Sequence, residues 1–172
     1  MWIGFIKCHW WAWLLVDVFC GVLVALLLRQ FACLLCLVKG RSMMDTLQNG
    51  DIVFALRRKL CGEIHRFDVV LCKYPNRKGL FVKRVVGLPG ECIWIDEDVL
   101  YINGEPVAEN FPRRKCLRPM GEKQIGMNEY FVLGDNRPAS RDSRSVGTIP
   151  LESIIAVVKC VVFPFGKIRK IR

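Results

Sequence analysis

The chain has 172 residues, room for one ordinary domain and an appendage. Its formal net charge of +10 suits an anionic membrane surface or nucleic acid, but no helix-turn-helix pattern, zinc-finger spacing or RNA-binding motif accompanies it, so nucleic acid is not an expected partner. Nine cysteines leave at least one without an intrachain partner; Cys33-x-x-Cys36 stands alone among apolar neighbours, so no metal site is expected and most cysteines read as small buried hydrophobes.

The first element is a helix. From Trp10 to Leu28 only Asp17 and Gly21 interrupt an apolar run. A helix of that length spans roughly 28 Å, close to the hydrocarbon thickness of a bilayer. Trp10, Trp11 and Trp13 crowd one end, where indole rings favour the interface, and Arg29 and Gln30 close the other. The run is longer than the roughly 7–15 residue apolar region of a cleaved signal peptide, and no convincing small-x-small site follows it. A carboxylate such as Asp17 costs about 2.5–3.5 kcal/mol near mid-bilayer, which the surrounding Leu and Val residues offset. Residues 1–30 are therefore read as an N-terminal segment with a transmembrane anchor over 10–28, and residues 31–172 as a β-rich domain.

After the anchor the rhythm becomes strand-like. Phe31 to Val38 is a short apolar run ended by Lys39-Gly40. Strands are predicted over Asp51–Leu56, Asp68–Tyr74, Gly79–Val86, Ile93–Ile95, Val99–Ile102, Glu129–Leu133 and Ile154–Phe163, punctuated by Gly, Pro, Asn and Asp. Asn103-Gly104 is a hairpin signal. The one helix expected in this part is a turn or two around Met43–Gln48. Arg57-Arg58-Lys59 and Arg113-Arg114-Lys115 read as solvated loops. The basic tail from Lys167 follows Phe163-Pro164-Phe165 and reads either as a membrane-surface contact or as a solvated tail.

Three segments carry candidate chemistry. Ser42, in Gly40-Arg41-Ser42-Met43, follows an apolar strand and precedes a predicted turn, a junction that exposes a hydroxyl and leaves backbone N–H groups free; a serine there is also an ordinary helix cap. A histidine-based triad has little to draw on, since the two histidines are His9 at the edge of the anchor and His65 in a charged stretch. Lys83 lies inside Leu80–Val86 and shares a strand face with Phe81 and Val85. If that face is buried, desolvation lowers its pKa and a neutral amine can accept a hydroxyl proton; otherwise it is a solvated edge lysine. The third segment, Gly134 to Gly147, alternates charge and hydroxyl groups and reads as a buried polar network.

Together these segments resemble the type I signal peptidases, the Ser–Lys leader peptidases of bacteria and organelles. The first box of that family is matched by Gly40-Arg41-Ser42-Met43-Met44-Asp45-Thr46-Leu47 with Gly50-Asp51, its lysine box by Val82-Lys83-Arg84-Val85-Val86-Gly87-Leu88-Pro89-Gly90-Glu91, a familiar turn by Tyr101-Ile102-Asn103-Gly104, and its last box by Gly134 to Gly147. The resemblance implies a mainly β fold, the signal-peptidase/LexA-like β domain, on one N-terminal transmembrane helix. It implies a membrane-bound serine endopeptidase, with no cofactor, that removes signal peptides after Ala-x-Ala-type sites. The enzyme would be single-pass in the cell membrane with its catalytic domain on the extracytoplasmic side. Signal peptides of exported preproteins and membrane lipids are the implied partners; the oligomeric state is left open.

By position, the resemblance makes Ser42 the nucleophile and Lys83 the general base. Ser140 would orient Lys83 by a hydrogen bond. Asp142 with Arg144, and Asp135 with Arg84, would be supporting ion pairs, and the Ser42 backbone N–H would stabilise the oxyanion. Gly40 stands where some relatives carry a hydroxyl donor. Val38, Met43, Leu47 and Val82 match positions lining shallow substrate pockets. Asp45 replaces the family's usual proline. An aspartate complements a helix N-terminus, so the fold is expected to persist. Its carboxylate is expected to favour the Lys83 ammonium, and Asp45→Pro to leave activity equal or higher. That replacement is the one feature favouring the alternative reading, a catalytically impaired relative acting as a membrane-tethered binding or assembly module. A self-cleaving Ser–Lys repressor would need a DNA-binding domain where this chain has its apolar helix.

Overall fold

The computed structural model describes residues 10–75, 77–116 and 118–171; for Trp10 and residues 27–31 it describes the backbone alone. The chain divides into two compact units, Met1–Cys33 and Leu34–Arg172. The first unit contains α1, Trp10–Phe31, a 22-residue helix. Apart from Asp17 its described side chains are apolar, and most are exposed: Trp13, Val16, Phe19 and Val22 are each at least half exposed, and Leu23 nearly half. Among the described residues no helix is long and apolar enough to cross a membrane. The expected anchor, 10–28, extends into Leu27 and Leu28, whose side chains lie outside the described residues.

The second unit is built of short strands. They are β1 Cys33–Leu37, β2 Ile52–Arg57, β3 Val69–Cys72, β4 Phe81–Gly87, β5 Cys92–Asp96, β6 Val99–Ile102, β7 Glu105–Val107, β8 Met120–Gln124, β9 Glu129–Leu133, β10 Ile149–Pro150, β11 Ile154–Phe163 and β12 Arg169–Lys170. Among the described residues they form two sheets. The larger runs β1-β2-β11-β3-β4-β9-β10, with β12 also on β11; the smaller runs β7-β6-β5-β8. The short helices α2, Arg58–Cys61, and α3, Ser143–Val146, lie in the connections.

Strand periodicity explains how the larger sheet is packed. Successive side chains point to opposite faces. On β3, Val69 and Leu71 enter one core cluster with Val38, Met43, Leu47, Val53 and Val158. Val70 and Cys72 enter another with Tyr74, Val85, Val132 and Ile154. β3 is therefore buried on both faces, and its sequence is continuously apolar instead of alternating. A third cluster of Val86, Ile93, Ile95, Leu100, Phe131 and Leu133 joins the two sheets. In the smaller sheet Asn103 and Gly104 both have positive φ, 51° and 95°, and make the two-residue hairpin turn that the dipeptide predicts between β6 and β7.

Several expectations change. β8 has four exposed positions out of five and no apolar alternation, so nothing in the pattern signals a strand; pairing with β5 makes it one. The Arg113–Arg114 loop is not simply solvated, because Arg113 pairs with Asp98 and Glu109 and Arg114 with Asp45. The tail folds back through β12, and Arg169 donates to the Thr46 carbonyl at 2.7 Å. Among the described cysteines Cys72 alone is fully buried, while Cys61, Cys92, Cys116 and Cys160 are half-buried.

Candidate active site

The turn carrying Ser42 is held from several sides. Beyond β1, Val38 exchanges backbone hydrogen bonds with the next segment, Val38 N to Asp51 O at 2.8 Å and Gly50 N to Val38 O at 2.9 Å. Gly40 has φ of 103°, which an L side chain rarely adopts, and its N–H donates to Asn49 Oδ1 at 2.9 Å. Asn136 clamps the turn: its backbone N–H donates to the Ser42 carbonyl at 3.0 Å and its Nδ2 to the Arg41 carbonyl at 2.9 Å. The Ser42 N–H donates to no protein group among the described residues.

The expected helical turn over Met43–Gln48 is reduced to a single α-type hydrogen bond, Leu47 N to Met43 O at 2.7 Å, because Asp45 sits at φ 85°. Proline is confined near −65°, so this backbone cannot simply accept it, and the expected tolerance of Asp45→Pro is corrected. The expected effect of Asp45 on Lys83 is corrected too. Its carboxylate accepts Arg114 Nε at 3.0 Å, and the charges acting on Lys83 come from Asp142, Cys72, Asp135 and Arg144.

Lys83 projects from the middle of β4, on the face shared with Phe81 and Val85. The residue is 2% exposed, and its Nζ donates to Ser42 Oγ at 2.6 Å. Burial pushes the ammonium below the usual lysine value of 10.5; Asp142, Cys72 and Asp135 pull the other way, and Arg144 helps lower it. An amine held in this way beside a hydroxyl is equipped to take its proton.

The remaining candidates surround this pair. β4 places Arg84 opposite Leu133 of β9, two residues from Asp135. Arg84 Nε and Nη2 donate to Asp135 Oδ1 and Oδ2 at 3.0 and 2.8 Å, with both side chains 1% exposed. Arg84 also donates to the Phe67 carbonyl at 2.8 Å and lies 4.0 Å from the centre of the Phe111 ring. Thr46 Oγ1 donates to Asp135 Oδ2 at 2.5 Å, tying the nucleophile turn to the same carboxylate. Asp142 accepts Arg144 Nε at 2.8 Å and Nη2 at 2.9 Å, and the Gly134 N–H at 3.0 Å. Burial alone would raise the Asp142 carboxyl, but the Arg144 hydrogen bond and charge, with smaller help from the Gly134 N–H, hold it below the usual carboxylate value.

Ser140 stands apart from its expected role. Its buried Oγ makes no hydrogen bond to Lys83 or to any other described residue. It lies against Gly134 beside the Ser42 carbonyl. A Cβ on Gly134 would overlap both atoms, so only glycine fits there.

A groove of about 430 Å³ runs up to Ser42 between residues 36–40 and 78–82. Val38, Met43 and Val82 line it. Leu47 does not: it is fully buried in the core cluster behind. The sequence reading missed Asn136, Thr46 and Arg169 as anchors of the nucleophile turn. The signal for Asn136 was its place inside the polar segment from Gly134; Arg169, 127 positions from Ser42, had none. It also missed the buried chain Asp98–Arg113–Glu109–Arg137, which ends where Arg137 Nε donates to the Gly134 carbonyl at 3.2 Å.

Comparison with known proteins bears on this arrangement. A family model described as "Signal peptidase, peptidase S26" matches residues 10–163. Signal peptidase I of Bacillus licheniformis is 37% identical over 162 residues, covering 87% of each chain. Signal peptidase I T of Bacillus subtilis strain 168 is 38% identical over 162 residues, covering 87% of this chain and 84% of its own. The crystal structure of a signal peptidase I from Enterococcus faecalis V583 is 29% identical, covers 56% of this chain and 97% of its own, and gives a TM-score of 0.47.

Proposed function

The chain belongs to the signal peptidases of peptidase family S26, serine endopeptidases that cleave signal peptides, and from that premise we propose that it does so with Ser42 as nucleophile and Lys83 as general base. The observation that carries this assignment is the 2.6 Å hydrogen bond between Lys83 Nζ and Ser42 Oγ, made by a lysine that is 2% exposed. Neutral Lys83 takes the hydroxyl proton as Ser42 Oγ attacks the scissile carbonyl carbon. The Ser42 N–H donates to the developing oxyanion. The ammonium then returns its proton to the leaving amine, and an acyl-enzyme remains on Ser42. Lys83 next takes a proton from water as that water attacks the ester, which frees the acid and regenerates the serine.

Arg84, Asp135, Asp142 and Arg144 are supports in this reading and Asn136 holds the turn; none touches the reacting atoms. Ser140, expected to orient Lys83, makes no hydrogen bond to it here and enters this reading as packing against Gly134 beside the Ser42 carbonyl. The substrate lies extended in the groove and adds a strand beside its two walls. Val38, Met43 and Val82 form shallow apolar pockets that admit alanine-sized side chains at the first and third positions before the cut, with Leu47 behind them. The family acts at membranes, and α1 is the proposed single-pass anchor, with the catalytic domain on the extracytoplasmic side. Its 22 residues reach about 33 Å at 1.5 Å each, and Trp13, Val16, Phe19 and Val22 are each at least half exposed.

The test is cleavage of a precursor ending in Ala-x-Ala by the full chain and by Ser42→Ala and Lys83→Ala. Both variants are expected to insert into membranes and to leave the precursor uncut. Full activity in either purified variant removes the dyad.

A further inference from the structure

The groove that leads to Ser42 has a lysine in each wall. Lys39 follows β1 on one side, and Lys78 precedes β4 on the other; both are exposed and both line the groove. Neither makes a hydrogen bond or ion pair from its side chain to any described residue. The paired cations of the domain lie elsewhere, among them Arg66 with Glu91, Arg84 with Asp135, Arg113 with Asp98, Arg137 with Glu109, Arg144 with Asp142 and Arg169 with Asp51; what sets Lys39 and Lys78 apart from other unpaired lysines is their place in the two walls of the groove. No carboxylate lines the groove.

Two uncompensated ammonium groups in the walls of one apolar cleft raise its potential, and low-dielectric walls focus that field on whatever enters. The substrate backbone brings no charge to neutralise it. An acidic side chain would do so, and a lysine or arginine would be repelled from both walls. We propose that Lys39 and Lys78 are specificity residues, selecting substrates that carry an acidic residue a few positions before the cut. The proposal deepens the assignment of the groove to the signal-peptide segment and rests on it.

Strand spacing locates the preferred position. Lys78 precedes Lys83 by five residues, and Lys39 precedes Ser42 by three. At no more than about 3.3 Å per residue these separations are at most roughly 16 and 10 Å, shortened by the bends at Gly79 and Gly40, and a lysine side chain reaches several ångströms further. The third substrate residue before the cut occupies a shallow pocket that takes only small side chains. The acidic residue therefore belongs at the fourth, fifth or sixth position.

The experiment uses the full chain in a neutral detergent and three peptides ending in Ala-x-Ala at the cut, with Asp, Asn or Lys at the fifth position before it. The readout is the ratio of kcat/KM for two peptides on one preparation, so a general loss of activity cancels. The Asp peptide is expected to exceed the Lys peptide by roughly tenfold at low salt, since each exposed pair gained or repelled contributes a small factor. The ratio should fall toward one as salt rises. In Lys39→Glu/Lys78→Glu the order should reverse. Equal ratios in the parent, or a preference that survives in the double variant, overturn the proposal. So does a ratio of one accompanied by loss of binding to phosphatidylglycerol vesicles in the double variant, which would assign the lysines to lipid headgroups. Failure to cut any of the three peptides refutes the peptidase reading underneath, whereas equal cutting of all three refutes the specificity alone.

Discussion

Replacing Arg84 by methionine tests whether the site is held by its buried ion pair. Arg84 and Asp135 are each 1% exposed in their side chains and joined by two hydrogen bonds of 3.0 and 2.8 Å. Methionine fills much of the volume but leaves the Asp135 carboxylate in the core with Thr46 as its remaining described side-chain donor. Stranding one member of a buried pair costs roughly 3–5 kcal/mol. For a chain of this size each kcal/mol lowers the melting temperature by about 2–4 °C, so the expected fall is roughly 6–20 °C. Because Asp135 adjoins Asn136, which holds the Ser42 carbonyl at 3.0 Å, precursor cleavage should weaken well below the melting point. Thermal unfolding followed by circular dichroism on the full chain in detergent, with cleavage measured in parallel, reads both effects. Arg84→Met/Asp135→Leu removes both charges and should recover most of the stability, because the desolvation penalty disappears with the pair. A single variant melting within 2 °C of the parent, or a double variant no better than the single, would show that the reasoning about this pair is wrong.

Cleavage should accelerate with pH, because the active form of Lys83 is the neutral amine and its fraction grows as protons are lost; the midpoint should lie below the ordinary lysine value of 10.5, and a rate flat from mildly acid to alkaline conditions would require another base. Lys83→Met should raise the melting temperature at neutral pH. The native lysine binds its proton less readily than the unfolded one, so the parent gains stability as pH rises and the difference should shrink toward alkaline pH; an advantage that grew with pH would contradict the burial of this group. Asp45→Pro should lower kcat/KM about tenfold or more, since φ of 85° must be abandoned and the turn hydrogen bond from Leu47 to Met43, worth about 1 kcal/mol, is put at risk. Equal or higher activity would mean that the turn rebuilds at no cost. Gly134→Ala should destabilise the chain by about 1–3 kcal/mol and reduce cleavage at least tenfold, because the methyl group overlaps Ser140 Oγ and the Ser42 carbonyl; activity within twofold of the parent would refute that packing.

Much of this molecule is local in origin. The apolar run from Trp10 makes a helix, and Gly, Pro and Asn punctuation marks out most strands. Asn103-Gly104 makes its hairpin because both positions need positive φ. Lys83 in an apolar strand and Ser42 at a strand end were legible because strand alternation assigns faces without reference to partners. The polar segment from Gly134 was legible as a network, though not which atoms it would bond. What tertiary structure alone decided were matters of distance and dihedral angle. Strand order brings β4 beside β3 and β9, and that neighbourhood desolvates Lys83 and puts Arg84 within reach of Asp135. The contact of Arg114 with Asp45 and of Arg169 with Thr46 joins residues 69 and 123 positions apart, which no local pattern encodes. Leu47 looked like a pocket residue and became core, and Asp45 looked suited to the first turn of a helix and took a left-handed conformation. In each case an apolar or polar residue type is compatible with several environments, and only the packing of distant segments selects one.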